Sequence, residues 1–206
     1  MEYKILSDKI VYFEKVILNY QELIDLANSL NCKSVTPWEV WKANGSLNSD
    51  SYGEIKFLNR KFYNQENEED KKKSIKLIET LCDSIILCAK KYSEIYNIPE
   101  KDFIFFSEII KDNSTKIGFY KYDQGVSMGP HLDLNKDNSY LEYTVVIYMN
   151  SDYEGGELNF PNHNITIKPS AGSIAIYPSG DPFLHESKTV TKGNKILITH
   201  HLRKPD

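Results

Sequence analysis

The sequence has few arginines, few cysteines and no long hydrophobic run. Arg60 and Arg203 are the two arginines among 25 basic residues, and the formal net charge is −4. A chain without a basic excess lacks the usual means of neutralising phosphates, which argues against nucleic acid as a partner. Its three cysteines form no C-x-x-C pair, so no disulfide framework is predicted. The charged N-terminus has no apolar run for a signal peptide or a membrane span, and we expect a cytoplasmic protein without membrane contact.

The length of 206 residues suits one domain with its own core and is short for two ordinary catalytic domains. We predict a single domain over residues 1–206, with a helix-rich supporting region over 1–100 and a β-rich core over 101–206. In the first region, residues 9–18 predict a strand. Asn19 and Glu22 predict the start of a helix that runs to about residue 30. The sequence carries no indication of oligomeric state.

A long amphipathic helix is predicted over residues 68–96, because apolar residues recur there at steps of three and four. Residues 34–64 mix turn residues with aromatics and predict a loop with short strands. In the second half, alternating runs between turn residues predict strands over 103–110, 116–122, 141–149, 157–160, 165–168, 173–177, 183–185 and 195–202. About eight short antiparallel strands predict a mainly β fold with flanking helices. The expected core is a double-stranded β-helix, or jelly roll, packed by the N-terminal helices.

The segment HLD places His131 and Asp133 two residues apart, so on a strand both side chains would leave the same face. A third ligand would come from elsewhere, and His185 in PSGDPFLHES is the candidate. Two histidines and one carboxylate suit non-haem Fe(II), because they leave coordination positions open for a chelating co-substrate and O₂. H-x-D alone is a common pattern, and a lone histidine is more often structural than a metal ligand.

The last predicted strand, KILITHHL, begins at Lys195 and alternates Lys195, Leu197, Thr199 and His201 on one face. If that face is the interior of the barrel, the buried ammonium of Lys195 needs an anion. A carboxylate of a co-substrate would supply one. The alternative is a solvated lysine on an edge strand.

Residues 120–202 resemble the catalytic core of the prolyl 4-hydroxylase family. The matching segments, in order, are YKYDQGVSMGPHLD, TVVIYMNSDYEGGELNFP, KPSAGSIAIYP, LHES and VTKGNKILIT. The resemblance implies that His131, Asp133 and His185 bind iron. It further implies that Lys195 pairs with the distal carboxylate of 2-oxoglutarate, and that Tyr148 donates a hydrogen bond to that carboxylate.

Other roles follow less directly from the resemblance. Tyr122 matches a tyrosine that lines the co-substrate or substrate pocket, and Thr144 and Thr199 are candidates for supporting hydrogen bonds. For both tyrosines, core packing is the alternative. Where many family members carry a tryptophan six positions after the basic residue, this chain has His201, which either contacts substrate or fills space. Trp38 and Trp41 either form a lid over the substrate or anchor their loop to the core.

The implied activity is that of an Fe(II)- and 2-oxoglutarate-dependent dioxygenase. It would hydroxylate a prolyl residue in a peptide or protein with O₂, giving succinate and CO₂, with ascorbate as a candidate reductant. The presence of Asp133 favours hydroxylation over halogenation. Two alternatives stay open: the same chemistry on a free amino acid or other small molecule, and a non-catalytic jelly-roll binding module.

Overall fold

The computed structural model describes residues 1–30, 53–58, 68–99, 117–134 and 141–203. Two α-helices lie in these ranges: α1 (Tyr20–Ser29) and α2 (Glu68–Tyr96). The strands of the first half are β1 (Glu2–Ser7), β2 (Ile10–Glu14) and β3 (Gly53–Leu58). Those of the second half are β4 (Ile117–Tyr122), β5 (Met128–His131), β6 (Leu141–Tyr148), β7 (Glu154–Gly155), β8 (Leu158–Phe160), β9 (Ile165–Ile167), β10 (Ser173–Pro178), β11 (His185–Ser187), β12 (Val190–Lys192) and β13 (Lys195–Arg203).

The strands form a large sheet and a small sheet that face each other as a jelly roll. The large sheet has seven strands in the order β1-β2-β10-β6-β13-β4-β3, and the small sheet has four in the order β5-β11-β8-β9. A two-stranded ribbon of β12 and β7 completes the described sheets. The paired strands are antiparallel. Because consecutive side chains of a strand alternate between faces, each strand of the large sheet serves two different environments.

One face of the large sheet packs against the two helices. Ile147, Ile174 and Ile198 lie in neighbouring strands on this face, and each is 0% exposed. Helix α2 contributes an apolar stripe at three- and four-residue steps, whose buried members are Leu77, Ile78, Leu81, Cys82, Ile85, Cys88, Ala89 and Tyr92. Burying such side chains stabilises the fold by about 1.5 to 3 kcal/mol each. The helices therefore act as a support for the sheet.

The other face of the large sheet looks into the space between the two sheets. Its buried members are larger and more polar, and they include Tyr122, Tyr148, Tyr177, Thr144 and Lys195. Phe160 and Leu158 of the small sheet pack against them. An interior face that carries tyrosine hydroxyls and a lysine amine can bind a polar ligand, whereas the helix-facing core offers mainly apolar side chains.

The predicted fold class is confirmed, as are the long helix, which covers Glu68–Tyr96, and the strands β4, β6, β8, β9, β10 and β13. Helix α1 begins at Tyr20, but the predicted capping box at its start was wrong. The Asn19 side chain donates to the Glu22 carboxylate at 3.2 Å and makes no bond to a backbone N–H. The strand predicted over 9–18 is the shorter β2.

Several short strands were not predicted. They are β1, β5, β7 and β12, and the strand predicted over 183–185 lies two residues later as β11. Strand β3 lies within residues 34–64, where short strands were predicted without bounds. The strand predicted over 103–110 and the loop aromatics Trp38 and Trp41 lie outside the described residues. Within the described part of the chain, neither helix combines the length and apolar character that crossing a membrane requires.

Candidate metal centre and lysine pocket

Three side chains converge at one end of the small sheet, and we call His131, Asp133 and His185 the metal centre. His131 is the last residue of β5 and His185 the first of β11, and the two are Cα partners in the ladder between these strands. The carboxylate of Asp133 lies 3.4 Å from His185 Nε2 and 3.8 Å from His131 Nε2. One ligand atom from each of the three lies within 4.8 Å of the others. A single metal ion can therefore contact all three.

Backbone carbonyls hold both imidazoles in the orientation that a metal needs. His131 Nδ1 lies 2.8 Å from Gly129 O, and His185 Nδ1 lies 3.1 Å from Phe183 O. Because a carbonyl oxygen only accepts, each Nδ1 carries the hydrogen and each Nε2 keeps its lone pair. Burial lowers the pKa of His185 to about 4, and the neighbouring Asp133 opposes that shift only in part. His185 is thus neutral at pH 7, the form that binds a metal.

Asp133 stays ionised although its surroundings are buried. Burial raises the pKa of its carboxyl, but the nearby imidazoles of His201, His185 and His131 outweigh that effect and hold the pKa well below its ordinary value. Thr144 Oγ1 also donates a hydrogen bond to Asp133 Oδ2 at 2.6 Å. The result is an anionic ligand with a fixed orientation.

The hydrogen bonds that support Asp133 continue into the backbone. Thr144 Oγ1 lies 2.9 Å from Ser179 Oγ, and because Thr144 donates to Asp133, the Ser179 hydroxyl donates to Thr144. Leu134 N–H donates to Ser179 O at 2.9 Å, and Ser179 N–H donates to Glu142 O at 2.9 Å. These bonds tie the turn after β5 to strand β6.

The structure brings the side chains of His131 and Asp133 together, but the geometric reason predicted for this was partly wrong. His131 lies on a strand, but Asp133 lies in the bend that follows it. The two side chains converge because Leu134 and Thr144 hold the bend, rather than because both residues alternate on one strand.

A second feature, which we call the lysine pocket, surrounds Lys195 with Gly156, Ser187, Tyr122 and Tyr148. Lys195 is 1% exposed. Its Nζ donates to Gly156 O at 2.6 Å and to Ser187 Oγ at 2.7 Å, and lies 5.4 Å and 5.5 Å from the ring centroids of Tyr122 and Tyr148. Burial lowers the pKa of Lys195 to about 7, with Glu157 opposing the shift. Among the described residues, no carboxylate lies within ion-pair distance of this nitrogen.

Glycine is required at position 156 of this pocket. Gly156 has a φ of +67°, and a Cβ there would lie 3.1 Å from Lys195 Cδ and 3.2 Å from the Tyr153 ring. A side chain would therefore press on the lysine and strain the backbone. The Gly-Gly pair of the sequence motif thus shapes the wall of the pocket.

Strand β11 connects the metal centre to the lysine pocket. His185 and Ser187 are both buried, whereas Glu186 between them points outward and accepts a hydrogen bond from Asn159 Nδ2 at 2.7 Å. Two residues of a strand span about 7 Å. One small molecule could therefore reach from the metal centre to the lysine pocket.

The remaining predicted residues divide into three groups. The side-chain alternation predicted for β13 is confirmed for Lys195 and Leu197, which face the interior between the sheets. Thr199 forms a hydrogen bond with Tyr120, and His201 Nε2 lies 3.6 Å from Asp133 Oδ1. Trp38 and Trp41 lie outside the described residues. Sequence reasoning missed Ser187 and Ser179, although the two-residue step from His185 was a usable signal for Ser187.

Comparison with known proteins locates a related region in the second half of the chain. Residues 117–203 match the family model of the 2OG-Fe(II) oxygenase superfamily. A PKHD-type hydroxylase of Prochlorococcus marinus is 33% identical over 119 residues, which are 53% of this chain and 51% of that protein. Prolyl 3-hydroxylase 2 of Gallus gallus is 34% identical over 65 residues, which are 29% of this chain and 9% of that protein. The chain thus spans about half or less of these relatives.

A solved structure has a similar fold over nearly its whole length. The viral collagen prolyl hydroxylase from Paramecium Bursaria Chlorella virus-1, determined as a 2OG complex, has a TM-score of 0.57 and 19% sequence identity. The match covers 96% of this chain and 97% of that one. At this identity the likeness concerns the fold alone.

Proposed function

We propose, from the match of residues 117–203 to the family model of the 2OG-Fe(II) oxygenase superfamily, that the chain is an Fe(II)- and 2-oxoglutarate-dependent dioxygenase. The proposed reaction is hydroxylation of a prolyl residue in a peptide or protein, with succinate and CO₂ as co-products. The observation that carries the proposal is the arrangement along β11, where His185 joins the metal centre and Ser187 joins the lysine pocket. A binding module would need neither.

The metal centre fits iron by the chemistry of its donors. His131 Nε2, His185 Nε2 and one oxygen of Asp133 would hold the ion from one side and leave positions for a chelating co-substrate and O₂. When bound, iron supplies the activation of O₂ that couples oxidation of 2-oxoglutarate to hydroxylation of the substrate. The carbonyl groups and Thr144 keep the ligands oriented, which is the usual role of groups around a metal site.

The lysine pocket fits the distal carboxylate of 2-oxoglutarate. Lys195 Nζ has three N–H groups, of which Gly156 O and Ser187 Oγ take two, and the third can donate to the carboxylate. An anion beside the nitrogen favours its protonated form, so binding of the co-substrate would raise the lowered pKa of Lys195. Tyr148 would donate its hydroxyl hydrogen to the same carboxylate, and Tyr122 would line the pocket. Thr199 would assist from the same face of β13.

A prolyl residue is the proposed target because of what the similar proteins are named for. One relative is a prolyl 3-hydroxylase, and one protein of similar fold is a collagen prolyl hydroxylase. Both names point to proline within a protein chain. We propose the same class of substrate here, with Trp38 and Trp41 as candidate substrate contacts.

The proposed setting is the cytoplasm. Cys82 and Cys88 on α2 are free thiols, and burial raises the pKa of each to about 12, so both stay protonated and unreactive. A reducing compartment would also keep the iron in the Fe(II) state, with ascorbate as a candidate reductant.

The test is succinate formation from 2-oxoglutarate by protein loaded with iron under anaerobic conditions and then given O₂. We expect turnover that a proline-rich peptide stimulates and that His131→Ala and Lys195→Ala abolish. Lys192→Ala is a matched control, because Lys192 is an exposed lysine that pairs with Glu154 at 2.9 Å. Failure of the wild-type protein to bind iron or 2-oxoglutarate would refute the dioxygenase and favour the binding module. Turnover without stimulation by any peptide would refute the prolyl substrate.

A further inference from the structure

We infer that His201 is a positioning residue that holds Asp133, the proposed carboxylate ligand of the metal, by one oxygen while Thr144 holds the other. This inference rests on the proposed metal role of Asp133 and assigns a specific task to His201. This role differs from the two that the sequence left open for this side chain, a substrate contact and space filling.

The first support is the pairing of strands β6 and β13. Thr144 and His201 are Cα partners in this antiparallel ladder, so their side chains leave the same face of the sheet side by side. Asp133 reaches this pair from the bend after β5. Thr144 Oγ1 donates to Oδ2 at 2.6 Å, and His201 Nε2 lies 3.6 Å from Oδ1. The two oxygens of one carboxylate thus face two neighbouring residues of one sheet.

The second support is the state of the His201 nitrogen. Its Nε2 is buried and makes no hydrogen bond with the described residues. Because the carboxylate oxygen Asp133 Oδ1 only accepts, Nε2 can pair with it only as a donor, and leaving such a buried donor without a partner costs about 1 to 3 kcal/mol. The distance of 3.6 Å to Asp133 Oδ1 exceeds a hydrogen bond by a few tenths of an ångström. A small rotation of the carboxylate closes that gap and satisfies both groups.

His201 acts on the ligand rather than as a ligand. The set of described side chains whose ligand atoms lie within 4.8 Å of one another consists of His131, Asp133 and His185, without His201. With one donor on each oxygen, the carboxylate of Asp133 cannot rotate freely about its Cβ–Cγ bond. The lone pair that it presents to the metal is therefore fixed, and so is the direction left open for other ligands. Losing such support at metal sites costs about 10- to 100-fold in affinity or activity.

The test uses Co(II) as the probe with the full chain, without 2-oxoglutarate or O₂. We compare wild type with His201→Phe, which keeps a ring and removes the donor, and with His201→Gln and His201→Trp, which each keep an N–H donor. The readouts are Co(II) affinity by competition with a chromophoric chelator and the Co(II) absorption spectrum, which reports ligand geometry. We expect a loss of about tenfold and an altered spectrum for His201→Phe, and values within about threefold of wild type for the other two.

Thr144→Val provides a second, independent variant. We expect it to weaken Co(II) binding in the same direction, and the double variant with His201→Phe to lose less than the two single losses combined. Once either oxygen of Asp133 has lost its donor, the carboxylate can already rotate. Removing the second donor therefore has a smaller additional effect on Co(II) affinity. Where circular dichroism shows that His201→Phe is not folded, His201→Leu takes its place.

Three results would overturn the inference: His201→Phe binding Co(II) like wild type with the same spectrum, the Gln and Trp variants losing as much as the Phe variant, or wild type binding no Co(II). The outcome is separable from the proposed function. If the variants behave as expected but wild type forms no succinate in the O₂ assay, the positioning role stands and the dioxygenase proposal fails. If succinate forms and the variants equal wild type, the reverse holds.

Discussion

The two faces of the seven-stranded sheet are built from the same strands but serve different purposes. Along β13, Ile198 and Leu202 face the helices and are almost fully buried among apolar side chains. From the same strand, Lys195 and His201 face the small sheet and meet carbonyl, hydroxyl and carboxylate oxygens. Consecutive residues of the strand therefore alternate between an apolar environment and a polar one.

This difference separates stability from chemistry. The helix-facing side gains free energy from apolar burial, about 25 cal/mol for each Å². The interior side carries groups whose burial costs free energy until they are paired, and the lowered pKa values of Lys195 and His185 report that cost. Substitutions on the interior side should therefore impair ligand binding with little loss of stability, whereas substitutions on the helix-facing side should lower stability with little effect on binding.

The largest effect is expected at the metal centre. His131→Ala should reduce succinate formation by about 10³-fold or more, because a ligand of the proposed iron is lost. The free energy of unfolding of the metal-free protein should change by no more than about 1 kcal/mol, since the His131 side chain is 28% exposed and its loss leaves little cavity. Succinate assays and urea unfolding of the same preparation check both values. A fall in stability of several kcal/mol would contradict the separation of stability from chemistry.

The next largest effect is expected in the lysine pocket. Lys195→Met should weaken 2-oxoglutarate binding by about 100-fold or more, because the distal carboxylate of 2-oxoglutarate would be buried without a positive charge beside it. The protein without co-substrate should be at least as stable as wild type at pH 7, since methionine removes a buried amine that prefers to be neutral. Isothermal titration of 2-oxoglutarate and thermal unfolding measure the two quantities. Lys192→Met, at an exposed lysine, is the control and should bind like wild type.

The opposite signature is expected on the helix-facing side. Ile198→Ala should lower the free energy of unfolding by about 2 to 4 kcal/mol, because Ile198 is 0% exposed and its truncation leaves a cavity. The affinity for 2-oxoglutarate at a temperature where the variant is folded should stay within about threefold of wild type. Urea unfolding and the same titration measure both. Loss of binding in a folded Ile198→Ala protein would show that the two faces are coupled.

The smallest effect concerns pH. The pKa of Lys195 falls from its ordinary value of 10.5 to about 7 on folding, so between these values the unfolded chain binds a proton that the folded protein does not. Stability should therefore rise with pH in this window, by up to about 1.4 kcal/mol for each pH unit, and the dependence should vanish below it. Relative to Lys195→Met, wild type should gain about 2 kcal/mol between pH 7.5 and 9 in urea unfolding. Parallel curves for the two proteins would mean that the amine is charged in the folded state.

The sequence predicted best the elements with long, regular patterns. Helix α2 repeats its apolar stripe over many turns, and β6 and β13 are strands of 8 and 9 residues rich in apolar and β-branched residues, so local pattern and tertiary structure agree. Strand β5 contains Gly129 and Pro130, which disfavour strands, and it is held by pairing with β11. Strands of two or three residues such as β7 and β12 contain too few residues to show a period.

The sequence identified candidate site residues where the proposed chemistry allows only a few residue types. Few residue types bind iron or pair with a carboxylate, so His131, Asp133, His185 and Lys195 stood out once they were seen in order. Ser187 did not, because hydroxyl residues are common and its role depends on the packing that brings Lys195 Nζ within 2.7 Å. The proximity of His201 to Asp133 depends on the register of β6 with β13, which the sequence does not specify.

The central claim is that the interior face of the large sheet and strand β11 together hold iron and 2-oxoglutarate. Its most direct test is an anaerobic titration of 2-oxoglutarate into Fe(II)-loaded wild type, Asp133→Ala, Lys195→Met and Lys192→Met. The account predicts binding by wild type and Lys192→Met, loss of iron in Asp133→Ala, and a weakening of about 100-fold in Lys195→Met. Equal affinity of wild type and Lys195→Met, or no binding by wild type, would contradict it.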